Sequence, residues 1–166
     1  MELAIHLEGA QQIQAMLAQY PAIIEKHLEA ATEEALMLLQ REIAERTPTG
    51  AHQLLRKSII ASPVQKVAGG VLGVVGTSSS YAEPVELGTK PHFPPVLPLI
   101  DWVIAVLGVE KKQAKGVAFL IARKISQKGT EGAFMFRDGF AATEPYIQGL
   151  YKQAMNNALA EIKGLS

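Results

Sequence analysis

The residues that could carry out chemistry in this sequence are few and widely spaced. The four histidines stand at positions 6, 27, 52 and 92, and none falls in a metal-binding spacing such as HExxH. The chain has no cysteine, which excludes thiol nucleophiles, disulfides and cysteine-based zinc sites. Only two of its 16 acids are aspartates, and most glutamates fall on predicted helix faces. We therefore predict no catalytic residue, no metal ligand and no cofactor.

Two further patterns resemble functional motifs in composition alone. Serines 78–80 precede Tyr81, but the sequence has no GxSxG turn and almost no aspartate to orient a base. The glycines of GGVLGVVG, residues 69–76, lie inside a predicted strand, whereas a dinucleotide-binding loop joins a strand to a helix. We predict that the protein is not an enzyme.

The stretch SSYAEPVELGTKPHFPP, residues 79–95, concentrates acids, prolines and rings. It is too apolar for a flexible linker and too rich in proline for a regular helix or a central strand. Two functions stay open for it. Residues 81–95 could form the pocket of a small ligand-binding or enzymatic domain, or they could form a rigid loop that contacts another subunit.

The composition favours a globular chain without a strongly charged partner. Sixteen basic and sixteen acidic residues give a net charge of zero, and 48% of the residues are hydrophobic. A neutral chain is a poor candidate for binding phosphates, although a nucleic-acid-binding regulator that uses Arg41, Arg46, Arg56 and Lys57 is a third hypothesis. We find no signal-peptide pattern and no apolar run of membrane-spanning length, so we expect no membrane association.

Hydrophobic periodicity predicts the elements that position these residues. Alternating apolar residues predict a strand over residues 3–7, and helical spacing predicts a short helix over 10–20 and a long one over 21–46. Two β-branched runs on either side of Gly69 and Gly70 predict a β-hairpin within residues 54–77. Two helices ending at Gly108 and Gly129 follow, and a last helix begins with Thr143 as its N-cap.

These elements predict an α+β fold. We expect a single domain, residues 1–166, in which a small antiparallel sheet of three or four strands packs against the long N-terminal helix and the C-terminal helix.

Three segments in a fixed order resemble a known family. The long helix runs into ERTPTGAHQLLRKSI, the second segment is GVVGTSSSYAEPVELGT, and the third, FLIARKISQKGTEGAFMFRDGF, precedes the last helix. This order is similar to the small neck and tail-completion proteins of long-tailed bacteriophages, which include minor tail and head–tail joining components. The pattern maps onto Thr47, Pro48, Thr49, Gly50, Leu55, Arg56, Ser58 and Ile59, then Tyr81, Ala82, Val85, Glu86, Gly88 and Thr89, then Gly129, Thr130, Phe134 and Phe136. The segment HFPPVLPLIDWV and the helix after it are longer than a minimal member would have.

The resemblance implies a virion structural protein of a phage or prophage, without catalysis. Such proteins form a ring around the DNA channel as head–tail connectors or tail-completion components, and DNA passes through without specific binding. The implied partners are further copies of the chain and head-closure, tail-tube or tail-terminator proteins. The implied location is the virion, at the head–tail junction or tail end, after assembly in the host cytoplasm.

The resemblance also implies which residues meet a neighbouring subunit. We expect these contacts from Tyr81, Glu86, Gly88, Thr89, His92, Phe93, Phe134 and Phe136, with Pro48, Gly50, Arg56 and Ser58 as structural motif residues. Two accounts of Glu86 stay open. Its carboxylate either accepts hydrogen bonds from turn amides or pairs with Arg56 inside the subunit, or it contacts the next subunit.

Overall fold

The computed structural model describes residues 20–164. Its helices are α1 (Pro21–Arg46), α2 (Leu54–Lys57), α3 (Ala82–Leu87), α4 (Val96–Leu107), α5 (Lys111–Lys128) and α6 (Met135–Gly164). Its strands are β1 (Ile60–Ala61), β2 (Gln65–Val67), β3 (Gly70–Leu72), β4 (Val75–Gly76), β5 (Gly88–Thr89) and β6 (Thr130–Glu131). The α+β prediction is confirmed. The strand over residues 3–7 and the helix over 10–20, apart from Tyr20, lie outside the described residues.

The long helix α1 has the limits that the sequence predicts. Pro21 suits the first helical turn because its missing N–H would have no partner there. At the other end, the Thr47 hydroxyl donates to the Ile43 carbonyl at 2.7 Å, and Pro48 cannot continue the helix. Apolar residues on a 3.6-residue repeat line the buried face of α1: Ile24, Leu28, Ala31, Ala35, Leu36 and Ile43.

The described strands form three antiparallel pairs, each of two strands. β1 pairs with β4, β2 with β3, and β5 with β6. The first two pairs are successive parts of one hairpin, because the register runs from Ile60 opposite Gly76 to Val67 opposite Gly70. Its turn contains Gly69 with a φ of 86°, a value that glycine adopts without strain.

The chain divides into two compact units. Among the described residues, the first unit contains 20–37, 62–74 and 145–164, and the second contains 38–61 and 75–144. The single-domain organisation stays a prediction.

The first unit is built on the start of α1 and the end of α6. Ile24 and Leu28 of α1 pack with Ala158 and Ile162 of α6, and Val71 of β3 lies against this cluster. The hairpin also approaches α1 closely. A Cβ atom on Gly73 would lie 2.8 Å from side-chain atoms of Leu36 and Thr32, so the hairpin needs glycine at this position.

The second unit contains two apolar clusters. In the first, Ile43 of α1, Ile59 and Met135 of α6 are almost fully buried together. In the second, α4 and α5 form a helical hairpin around Val103, Ala114 and Ala118. The alanines face α4 at a spacing of four residues, so the two helices can approach closely.

The structure corrects three local predictions. The hairpin over residues 54–77 does not begin as a strand, since Leu54–Lys57 is the short helix α2. The last helix begins at Met135 and not after Thr143. Thr143 is therefore not an N-cap: it lies inside α6, where its hydroxyl donates to the carbonyls of Gly139 and Phe140 at 3.0 and 3.1 Å.

Candidate subunit-contact surface

The loop of residues 79–95 is more regular than its prolines indicate. It contains helix α3 and strand β5. Pro84 is compatible with α3 because it stands in the first turn, where its missing N–H has no intrahelical partner to lose. Pro94 and Pro95 stand just before α4, which begins at Val96. This part of the second unit is thus built from short defined elements.

Glu86 fixes this loop to the start of α6. Its side chain is buried, and its two carboxylate oxygens accept hydrogen bonds from the backbone amides of Phe136 at 2.9 Å and Arg137 at 3.1 Å. These amides lie in the first turn of α6, where no carbonyl of the same helix can accept from them. Glu86 therefore caps a helix that begins about fifty residues later, and its negative charge suits the positive end of the helix dipole.

This geometry supports the intrasubunit account of Glu86, although the donors differ from those expected. The amides belong to the α6 terminus and not to the turn at Gly88. No ion pair joins Glu86 and Arg56, both of which the structure describes. A contact between Glu86 and a neighbouring subunit stays a prediction.

Backbone hydrogen bonds extend the same connection. The Ala133 amide donates to the Val85 carbonyl at 2.8 Å, and the Phe134 amide donates to the Glu86 carbonyl at 3.1 Å. Phe134 has a φ of 50°, an uncommon value for a side chain of its size. This left-handed turn directs the chain from β6 into α6 and brings the first amides of the helix to Glu86.

Two glycines let β5 and β6 come together. Gly88 pairs with Glu131, and Thr89 pairs with Thr130, whose hydroxyl lies 3.0 Å from that of Thr89. Gly88 and Gly129 have φ values of 78° and 71°, which favour glycine. A Cβ atom on either would collide with the opposite backbone, at the Thr130 carbonyl for Gly88 and at the Thr89 carbonyl for Gly129.

Arg137 covers the turn from outside. Its guanidinium lies 3.8 Å from the centre of the Phe134 ring, a cation–π contact, and its Nε donates to Asp138 Oδ1 at 2.7 Å. This hydrogen bond holds the pKa of Asp138 below its ordinary value and raises the pKa of Arg137. Both side chains are exposed, so the contribution to stability is small.

The predicted contact residues differ in accessibility. Tyr81 and Phe93 expose 69% and 54% of their surface, and His92 is also exposed. Gly88, Thr89, Phe134 and Phe136 are half-buried. The His92 Nδ1 lies 2.9 Å from the Lys90 carbonyl, which can only accept, so Nδ1 carries the proton.

Several apolar side chains of the second unit are largely exposed. The Phe93 ring lies 6.0 Å from that of Phe119 on α5, at an angle of 58°. Leu87 and Leu97, which precede and follow Phe93 in the sequence, are also largely exposed. We call Tyr81, Leu87, Phe93, Leu97 and Phe119 the apolar surface.

The four motif residues lie around the start of the hairpin. The Ser58 hydroxyl donates to the Leu55 carbonyl at 2.8 Å and lies 2.6 Å from the Thr77 hydroxyl, so it connects α2 with the segment after β4. Pro48 is exposed, and Gly50 and Arg56 are half-buried. Trp102 Nε1 donates to the Thr49 carbonyl at 3.3 Å, which joins α4 to this segment.

Sequence reasoning missed several residues of this region. Arg137 and Gly132 were not selected, although a Cβ atom on Gly132 would lie 2.5 Å from the Glu86 carbonyl oxygen. The only available signal was the glycine-rich spacing of KGTEGAF, residues 128–134. Phe119 was also missed, because its exposure depends on which side of α5 packs against α4.

Two features that other functions would need, a metal site and a membrane-spanning helix, are absent from the described residues. No group of three or more His, Asp or Glu residues within 20–164 is arranged to hold a metal ion. No helix within the same range has the length and apolar content needed to cross a bilayer.

Comparison with known proteins gives one match. The family model described as "Bacteriophage HK97-gp10, putative tail-component" matches residues 11–88 of this chain. The match confirms the resemblance to phage neck and tail-completion proteins and supports a phage structural role. It includes Glu86 and ends at Gly88, so α4, α5 and α6 lie beyond it. No curated protein and no solved structure matches the chain.

Proposed function

We propose that this chain is a ring-forming structural subunit of a phage or prophage virion, a head–tail connector or tail-completion component that surrounds the DNA channel. The family match supports the coarser part of this proposal, a phage tail component. The observation that carries the finer part is the apolar surface, three of whose residues, Tyr81, Leu87 and Phe93, are exposed on a loop that Glu86 and the β5–β6 pair hold in place.

A firmly held apolar surface suits a contact between subunits. An ordered loop loses little conformational entropy on binding, so more of the gain from burying its side chains is retained as affinity. Exposed aromatic side chains are enriched among the residues that dominate binding energy at interfaces. In a ring, this surface would meet a different surface of the next copy, which is the heterologous contact that closes a cyclic assembly.

The predicted contact residues divide into two groups under this proposal. Tyr81, His92 and Phe93 are the accessible residues that meet the neighbour. The less accessible residues keep the loop in its conformation: Glu86, Gly88, Thr89, Phe134 and Phe136. The remaining partners would be head-closure, tail-tube or tail-terminator proteins, and the chain would reside in the virion after assembly in the host cytoplasm.

The alternative of a ligand-binding or enzymatic loop has less support. Each Glu86 oxygen already accepts a backbone amide, so the carboxylate is occupied in a structural role. The Nδ1 atom of His92 is occupied by the Lys90 carbonyl. A general base needs access to a substrate proton, and Glu86 is buried.

The test is crosslinking inside assembled particles, because a free subunit of such a ring can be monomeric. A photo-crosslinking amino acid replaces Phe93 in the phage or prophage that encodes the chain, and particles are purified and irradiated. We expect a covalent dimer of the chain, detected by mass and by peptide sequencing. The matched control places the same group at Tyr146, an exposed ring of the first unit.

Two results would overturn the proposal. One is the absence of the chain from purified particles. The other is a set of particles that contain the chain but form no self-crosslink from position 93, or form it equally well from position 146.

A further inference from the structure

Helix α5 carries a concentrated positive charge that the composition of the whole chain conceals. Its 18 residues include six cations and no acid: Lys111, Lys112, Lys115, Arg123, Lys124 and Lys128. Because the whole chain has 16 cations and 16 acids, all other residues together carry six more acids than cations. The neutral composition therefore results from a positive helix and a negative remainder.

The six cations of α5 are available to an outside partner. All six side chains are exposed. None forms an ion pair with any residue in the range 20–164, in contrast to Lys26, Arg46, Lys66 and Arg137. Their positive charge is therefore not neutralised within the part of the chain that the structure describes.

Packing of the helical hairpin fixes which side of α5 faces outward. Ala114, Ala118 and Ala122 are fully buried, so the opposite side of the helix faces solvent. The cations form two groups along the helix, residues 111–115 and 123–128. At 3.6 residues per turn, Lys112, Lys115 and Arg123 lie on this solvent side, whereas Lys111, Lys124 and Lys128 lie beside the buried side. With a rise of 1.5 Å per residue, Lys112 and Arg123 are about 16.5 Å apart along the helix axis.

We propose that the exposed side of α5 contacts the phosphate backbone of duplex DNA, without reading its sequence. The DNA duplex carries one negative charge for roughly every 1.7 Å of its axis, a dense anion array that can engage Lys112, Lys115 and Arg123 at once. Lysine and arginine contacts to phosphates position a protein without specifying bases. The proposal rests on the proposed function only for the source of the DNA, which is the molecule that passes through the ring.

An acidic protein surface is the other partner with suitable charge. Phe119 and Leu120 lie exposed between the two groups of cations and could pack against such a protein. A protein partner would have to gather about as many carboxylates as α5 has cations, yet Asp and Glu are depleted at interface centres. DNA supplies this charge density along its whole length, so we favour it.

The cations of α5 are not those of the nucleic-acid-binding hypothesis that the sequence suggests. That hypothesis uses Arg41, Arg46, Arg56 and Lys57, and in the structure Arg46 is paired with Glu42. A balanced net charge was the reason to expect no attraction to phosphate. That reason fails for α5, because a binding surface responds to the charges near it and not to the total.

The experiment measures binding of the purified full chain to a fluorescent duplex of random sequence over a range of salt concentrations. Three phosphate contacts, from Lys112, Lys115 and Arg123, predict a slope of log K against log salt of about −3 per subunit, and thus an affinity loss of about 40-fold between 50 and 200 mM salt. The variant Lys112→Gln/Lys115→Gln/Arg123→Gln should lose most of this slope.

The matched control is Arg41→Gln/Lys57→Gln/Lys152→Gln, which removes the same charge from exposed residues outside α5. It should keep the slope of the unmodified protein. The proposal is overturned if both triple variants lose the same slope, if the control alone loses it, or if the unmodified protein does not bind duplex at low salt. Competition by polyglutamate that equals competition by unlabelled DNA would also overturn it and would favour an acidic protein partner.

The DNA measurement and the ring proposal can fail separately. Crosslinking at position 93 in particles reports the subunit contact and does not require a DNA-binding helix. Salt-dependent binding of the purified chain reports α5 and does not require a ring. Retained binding with no crosslink would overturn the ring alone, whereas a crosslink without DNA binding would overturn the inference about α5.

Discussion

Two glutamates hold parts of this molecule together in very different ways. Glu86 is buried and accepts hydrogen bonds from two backbone amides of α6. Glu161 is partly exposed and accepts from the Lys26 ammonium at 3.2 Å and from His27 Nε2 at 2.8 Å. Each joins segments far apart in sequence, and each makes charge-assisted contacts of ordinary length. The difference is in the solvent around them and in the mobility of their partners.

The comparison shows why contact distance alone does not rank these interactions. At Glu161, water screens the charges, and ordering the long Lys26 side chain costs conformational entropy. At Glu86, the donors are backbone groups that the helix already fixes in place. If Glu86 is removed, these amides lose a partner in a site with little access to water, which costs more than losing an exposed ion pair.

The largest effect is expected from Glu86→Gln. The side-chain nitrogen of glutamine cannot accept a hydrogen bond, so one backbone N–H group of α6 would face another donor. The negative charge at the helix terminus is also lost. We expect the free energy of unfolding to fall by about 2–4 kcal/mol. The melting temperature should fall by roughly 5–15 °C in calorimetry.

Glu83→Gln is the matched control, since Glu83 lies on the same helix α3 and is exposed. Its melting temperature should stay close to that of the unmodified protein. Equal losses for the two variants would mean that the buried amide contacts contribute no special stability.

An intermediate effect is expected from Gly88→Ala, which tests the backbone beside Glu86. Alanine at a φ of 78° is strained, and its Cβ atom would meet the backbone of Thr130 and Gly132. We expect a loss of about 2 kcal/mol, measured by denaturant unfolding.

Gly116→Ala should act in the opposite direction. Gly116 lies inside α5 with no atom near the position of an added Cβ, so alanine should stabilise the helix by about 0.5–1 kcal/mol. The same sign for both variants would contradict the role of the close β5–β6 approach.

The smallest effect is expected from Glu161→Gln, and it should depend on pH. Hydrogen bonds from His27 and then Lys26 hold the pKa of Glu161 below its ordinary value of 4.5. A carboxyl group whose pKa is lower in the folded state adds stability above the unfolded pKa, and this contribution disappears as pH falls through the folded pKa. The variant should therefore melt about 1 °C lower at pH 7, and the difference should begin to shrink near pH 4.5 and vanish below the pKa of Glu161 in the folded protein.

Melting curves at several pH values check this expectation. A difference between Glu161→Gln and the unmodified protein that stays constant into acid would contradict it. A loss as large as that of Glu86→Gln would break the comparison between the two glutamates.

Much of the fold follows from periodicity in the sequence. The repeat of apolar residues gives α1, α4 and α5 their limits, and Gly108 and Gly129 follow α4 and α5 with positive φ angles as predicted. The turn of the hairpin at Gly69 and Gly70 is also confirmed. These features depend on local interactions, which is why the sequence alone suffices for them.

Features that depend on distant residues were not predictable. The start of α6 was placed about eight residues late, because Gly139 and the charged Arg137–Asp138 pair resemble a loop. Gly139 is required there for another reason. A Cβ atom on it would lie 2.8 Å from the Ile43 side chain, so this glycine lets α6 approach α1 within the second unit.

The candidate contact residues were selected by resemblance, and their division into exposed and supporting residues needed the structure. That Glu86 is buried depends on a helix terminus about fifty residues away, to which no local pattern points. The six cations of α5 can be counted in the sequence, but the net charge of zero argues against phosphate binding by the chain as a whole.

The pairing of β5 with β6 has a consequence for the chain between them. Thr89 and Thr130 are opposite each other, so the forty residues between them begin and end at neighbouring points. These residues include α4 and α5, which enclose an apolar cluster of their own, and they lie beyond the matched range 11–88. A segment anchored in this way can lengthen or shorten while the residues before and after it keep their register. The helical hairpin therefore has the architecture of an insertion, whose length the β5–β6 pair does not restrict.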